Sequence, residues 1–100
     1  MTPAHTAWLR ARIAEGVKRH AALVSQQQSL ADWPPSAWAD PPALLVYATD
    51  AMYAYYLGPT GTVYQYDMDR FSPALDVVGG DLVREVYQRA RETFPELADL

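Results

Sequence analysis

Tyr53-Ala54-Tyr55-Tyr56-Leu57-Gly58-Pro59-Thr60-Gly61-Thr62-Val63-Tyr64-Gln65-Tyr66-Asp67 is the stretch on which the fold turns. Two tyrosine-rich runs flank a Gly-Pro-Thr-Gly sequence, which is the pattern of an antiparallel hairpin. Counted as a two-residue or a four-residue connection, the turn sets Leu57 opposite Thr62, Tyr55 opposite Tyr64 and Tyr53 opposite Tyr66. Side chains alternate between faces along a strand, so this register predicts a wall of Tyr53, Tyr55, Tyr64 and Tyr66 on one face. Met52, Ala54, Tyr56, Val63, Gln65 and Asp67 then share the other face. One inserted residue at the turn changes every cross-strand pair and dismantles the wall. The pattern leaves open which face receives helices.

Upstream of the hairpin, Leu44-Leu45-Val46-Tyr47 is a short apolar run that reads as a further strand, with Thr49-Asp50 as a turn or bulge. Before it, four prolines in residues 30–43 forbid a continuous helix, and Trp33 and Trp38 punctuate the segment as anchors or as contacts for a partner. Residues 3–26 are helical: Thr2-Pro3 opens the segment, and Leu9, Ile13, Val17, Ala21 and Val24 recur at spacings of three or four. Trp8 lies beside that stripe. Downstream of the hairpin, Leu75 to Val78 reads as a short edge strand or a first helical turn. Residues 80–94 form a second helix with Asp81 at its start and the stripe Val83, Val86, Tyr87, Ala90, Phe94 and Leu97, and the last residues are expected to fray. The expected architecture is a small α+β domain: an N-terminal helix, an antiparallel sheet of three to four strands over residues 44–67, and a C-terminal helix.

One hundred residues suffice for one compact domain with a core and are too few for two domains. The chain is 50% hydrophobic and 20% charged, a balance that favours folding over disorder, and it has no cysteine, which removes disulfide and thiolate chemistry. Charge is segregated. Residues 1–30 carry Arg10, Arg12, Lys18 and Arg19 against Glu15, a net of +3, and the remainder carries four arginines against eleven acids, a net of −7. An acidic body repels phosphates, so nucleic acid is not an expected partner. No stretch approaches the apolar length of a membrane span, and the expectation is a soluble, cytoplasmic protein with no membrane partner.

The chemistry-bearing residues are sparse. Asp67 and Asp69, with Asp76 at a distance, form an Asp-x-Asp group of the kind divalent cations use, but the glycine and terminal glutamate of a calcium loop do not follow, so no metal site is expected. His5 and His20, about 22 Å apart along a helix, cannot act as one pair and read as surface or helix-end histidines. Neither a nucleophile elbow nor a phosphate or dinucleotide loop occurs, so no catalytic residue and no cofactor is expected. A tyrosine-plus-acid site built from Tyr64, Tyr66 and Asp67 is conceivable.

The segment Tyr55-Tyr56-Leu57-Gly58-Pro59-Thr60-Gly61-Thr62-Val63-Tyr64-Gln65-Tyr66-Asp67, followed by a loop and a closing helix, resembles the later half of SMI1/KNR4-like (SUKH) domains over residues 44–95. The chain is shorter than the usual member, and the proline-rich connector stands where that family has early strands. The resemblance implies an α+β binding domain, in bacteria often an immunity protein that neutralises a toxin; no binding residue carries over. Aromatic excess without catalytic groups leads to the same expectation, a non-enzymatic protein-binding module using some of Tyr53, Tyr55, Tyr64 and Tyr66 with Trp33 or Trp38. The alternatives are a structural homo-oligomer paired through helix or sheet edge, and a small-molecule site or enzyme with a tyrosine-lined pocket.

Overall fold

The computed structural model describes residues 1–25, 41–49, 52–69 and 74–100, except for the side chains of residues 20 and 23–25; Trp33, Trp38 and the proline-rich connector lie outside the described residues. In chain order the elements are helix α1 (Pro3–Ser25), strands β1 (Leu44–Thr49), β2 (Tyr53–Leu57), β3 (Val63–Asp67) and β4 (Asp76–Val77), helix α2 (Asp81–Thr93) and a 3₁₀ turn (Pro95–Leu97). The strands form one antiparallel sheet in the order β1-β2-β3-β4. This is the α+β arrangement expected, with residues 76–77 as the edge strand and β1 continuing through Thr49.

The hairpin register differs from the expected one. Gly58 N–H donates to the Thr62 carbonyl at 2.8 Å and Gly61 N–H donates to the Gly58 carbonyl at 3.1 Å, so the loop proper is Pro59-Thr60-Gly61. Gly61 takes a φ of 93°, the left-handed conformation that closes a three-residue hairpin loop with a bulge. The odd loop length moves each pair by one residue: Tyr53 faces Asp67, Ala54 faces Tyr66, Tyr55 faces Gln65, Tyr56 faces Tyr64 and Leu57 faces Val63. The tyrosine wall is therefore split. Tyr53 and Tyr55 lie on one face, and Tyr56, Tyr64 and Tyr66 on the other.

The first face receives the helices. Leu57 and Val63 at the turn end meet Leu9 of α1, Val86 and Ala90 of α2 and Leu97 of the 3₁₀ turn, all at 0–1% exposure. A shift in the β1–β2 pairing between Leu45 and Tyr47 adds Val46 to this cluster, because a bulge lets neighbouring residues address one face. Tyr87 of α2 donates its hydroxyl to the Gly61 carbonyl at 2.6 Å, which fixes the helix over the turn. The second face has a core of its own: Ala43, Ala54, Tyr56 and Tyr66 are buried, with Leu45, Tyr64, Met68 and Leu75 packed at its margin. Burial raises the pKa of Tyr56 far above that of a free tyrosine, with Tyr66 adding to the effect.

α1 runs the expected length, but burial is concentrated in its first turns. Leu9 is fully buried and Ile13 half-buried, whereas Val17 is 41% exposed and Ala21 and Ala22 are exposed. Trp8 packs at 5.4 Å on Phe94, just past the end of α2, and carries the Arg12 guanidinium 5.4 Å from its ring centroid. The chain end does not fray as expected. His5 N–H donates to Thr2 Oγ1 at 3.3 Å while Thr2 N–H donates to His5 Nδ1 at 3.0 Å, a reciprocal helix cap in which histidine takes the place usually held by glutamate. With Nδ1 accepting, Nε2 carries the proton and donates to Asp99 Oδ1 at 2.6 Å. Arg91 also donates to the Leu100 carbonyl at 3.0 Å. His5 is thus a buried helix-end residue with both nitrogens engaged, joining the first turn of α1 to the C-terminal segment.

This clamp has a pH signature. The hydrogen bond from His5 is the main cause holding the Asp99 carboxyl below the usual carboxylate range, with a backbone hydrogen bond and attraction to His5 adding to it. A carboxylate whose pKa is lower in the folded state contributes stability above its unfolded value and loses it as pH falls through the folded value. Urea midpoints of the native chain should accordingly exceed those of Asp99→Asn at neutral pH, and the gap should close as pH drops below about 4. A gap that stays constant through the acid range would show that the Asp99 charge does not contribute.

Candidate functional site

The sheet registers place two rungs of side chains on the helix-side face: Thr49, Tyr53 and Asp67 on one, Tyr47, Tyr55, Gln65 and Asp76 on the next. Burial falls along this face away from the hairpin turn. Leu57 and Val63 are sealed under the helices, Tyr55 is 6% exposed, and Thr49, Tyr53 and Asp67 are only half-buried. Among the described residues the far end is therefore the more open one, since Tyr87 holds α2 over the turn.

Contacts hold the rings of this end in place. Tyr47 stacks on Tyr55 with centroids 5.0 Å apart and planes inclined by 28°, and the Arg89 guanidinium of α2 lies 4.8 Å from the Tyr47 centroid. Gln65 Nε2 donates to the Tyr55 hydroxyl at 3.0 Å. Burial raises the Tyr47 pKa, the charge of Glu85 and the neighbouring Tyr55 raise it further, and Arg89 opposes them, so the phenol is neutral at physiological pH. Met52 is 48% exposed at the same end of the sheet, next to Tyr53 in the chain.

The expected contact residues therefore have different fates. Tyr53 stands half-buried on the helix-side face. Tyr55 is buried beneath Tyr47, with its hydroxyl held by Gln65. Tyr66 is buried on the second face, and Tyr64, also on that face, is half-buried with its ring against Gly58, where an added Cβ would come within 3.0 Å. Trp33 and Trp38 lie outside the described residues. Tyr64 and Tyr66 project from the sheet face opposite Asp67, so the tyrosine-plus-acid grouping is not assembled. Tyr47, Gln65 and Arg89 join the site without having been singled out. The signal for Tyr47 was its place in the tyrosine run, whereas Arg89 belongs to the polar face of α2 and nothing local connects it to a strand.

Asp69 N–H donates to Asp67 Oδ1 at 3.0 Å, a local turn bond, and the described residues hold no group of three or more side chains suited to a metal ion. Among the described residues a depression of about 440 Å³ lies along the first turns of α1, lined by Met1, Thr2, Pro3, Thr6, Ala7 and Arg10. No described helix is long and apolar enough to cross a membrane. No family model matches the chain, nor does any curated protein or solved structure. Function is thus read from the residues themselves.

Proposed function

We propose that the protein is a non-enzymatic protein-binding module that receives its partner on the open end of the helix-side face. The carrying observation is the pair of half-buried rings, Tyr47 and Tyr53, set on adjacent rungs of a sheet whose opposite end is sealed by helices. A ring already held by stacking, as Tyr47 is on Tyr55, loses little freedom when a partner covers it, and tyrosine and arginine are the residues most often found to anchor such contacts. The likeness of residues 44–95 to SUKH domains supports the same proposal in a narrower form, an immunity-like protein that neutralises a toxin.

The test is capture by the tagged full chain in cells of its source, with mass identification and titration of the recovered protein against purified native chain and Tyr53→Ala. A stoichiometric foreign protein whose dissociation constant rises at least about tenfold for Tyr53→Ala, the loss of one anchor, is expected. Unchanged affinity in a variant that retains its circular dichroism spectrum overturns the reading.

A further inference from the structure

Tyr47 and Tyr53 have similar surroundings but differ in one respect. The Tyr47 ring has the Glu85 charge close enough to act on its hydroxyl and the Arg89 guanidinium 4.8 Å from its centroid. On the adjoining rung the half-buried Tyr53 is the cross-strand partner of Asp67, so the two residues project from the same sheet face. Asp67 Oδ1 accepts from Asp69 N–H, and among the described residues no cation lies on the Tyr53 ring and none pairs with Asp67. Asp76 occupies the next position along this face, opposite Gln65 and exposed. The chain outside its first thirty residues carries a net charge of −7.

Resting on the protein-binding reading, we propose that Tyr53 and Asp67 form a cation slot that takes an arginine or lysine side chain from a basic segment of the partner protein. Tyr47 with Arg89 displays the same recognition within the chain: a planar cation over a ring, with a carboxylate nearby. A ring face attracts a cation through its quadrupole, and an adjacent carboxylate supplies charge and a hydrogen-bond acceptor. Arg89 is already engaged on the Tyr47 ring, with Glu85 acting on the same phenol, and an acidic partner entering beside Tyr53 would meet the like charge of Asp67, so complementarity selects a basic one.

The experiment titrates the ¹⁵N-labelled full chain with a short peptide of alternating arginine and serine, and in parallel with its glutamate counterpart. The arginine peptide should move the amide signals of Tyr53, Gln65 and Asp67, and its binding should weaken as salt is raised. Tyr53→Leu should weaken it about threefold through loss of the ring, and Tyr53→Phe should leave it unchanged. Asp67→Asn, which keeps the acceptor for Asp69 N–H, should also weaken it about threefold.

Equal binding of the glutamate peptide, signals that move on α1 instead, or equal affinity of the Tyr53→Leu and Tyr53→Phe chains overturns the slot. So does a solution mass that rises with concentration and falls back in Tyr53→Leu, because a second copy then fills the site. If the captured partner is lost with Tyr53→Ala while these peptide results fail, the slot is wrong and the binding reading stands. If capture is indifferent to Tyr53→Ala, the binding reading itself fails.

Discussion

Gly61→Ala is expected to lower the unfolding free energy by about 2–4 kcal/mol, from backbone strain of about 1–3 and the loss of a hydrogen bond worth about 1. Two independent observations carry this. Gly61 holds a φ of 93°, which a residue with a Cβ adopts only under strain. An added Cβ would also stand 2.7 Å from the Tyr87 hydroxyl, inside the space occupied by the bond that holds α2 over the hairpin. For a chain of this size the effect corresponds to a melting temperature lower by at least about 8 °C. Tyr87→Phe separates the two causes: it removes the hydroxyl alone and should cost about 1 kcal/mol. Urea unfolding of the three chains decides the matter, and a Gly61→Ala midpoint equal to that of the native chain would mean that the turn does not set the register.

The second large effect concerns Tyr56, at 1% exposure the largest of the fully buried side chains among the described residues. Truncation to alanine removes a ring from the core formed by Ala43, Ala54 and Tyr66 and should cost about 3–5 kcal/mol. Tyr53→Ala, on the open end of the opposite face, should cost no more than about 1.5 kcal/mol. The contrast tests the register directly. A continuous wall of Tyr53, Tyr55, Tyr64 and Tyr66 would give Tyr53 and Tyr66 the same environment, and the observed pairing gives them different ones. Chemical denaturation of Tyr53→Ala, Tyr56→Ala and Tyr66→Ala should therefore place Tyr53 apart from the other two; equal losses for all three would restore the wall. The low cost expected at Tyr53 is also what allows that variant to report on binding without loss of the fold.

Local chemistry made much of the fold legible. Pro3 after Thr2, the three-and-four spacing through Leu9 and Ile13, the Pro-x-Gly turn and the Gly-Gly-Asp start of α2 each act over a few residues, and each produced the expected element. The candidate site was less legible, since its rungs draw Tyr47 from β1, Tyr53 from β2, Gln65 and Asp67 from β3 and Arg89 from α2. The fraying expected of the last residues failed for the same reason. Leu97 and Asp99 are held by Leu9 and His5, which lie at the other end of the chain.

By itself the sequence determined the order of helices and strands, the position of the turn, the segregation of charge and the concentration of rings in one hairpin, because propensity, alternation and composition are properties of neighbouring residues. The tertiary structure alone decided which rings share a face, which end of the sheet stays open and where the chain end is fastened. Face assignment depends on whether the connection holds an odd or even number of residues, and that follows from the left-handed conformation of Gly61 as it packs beneath Tyr87. Openness depends on where α2 comes to rest, a balance of buried area and one hydroxyl bond between residues far apart in the chain.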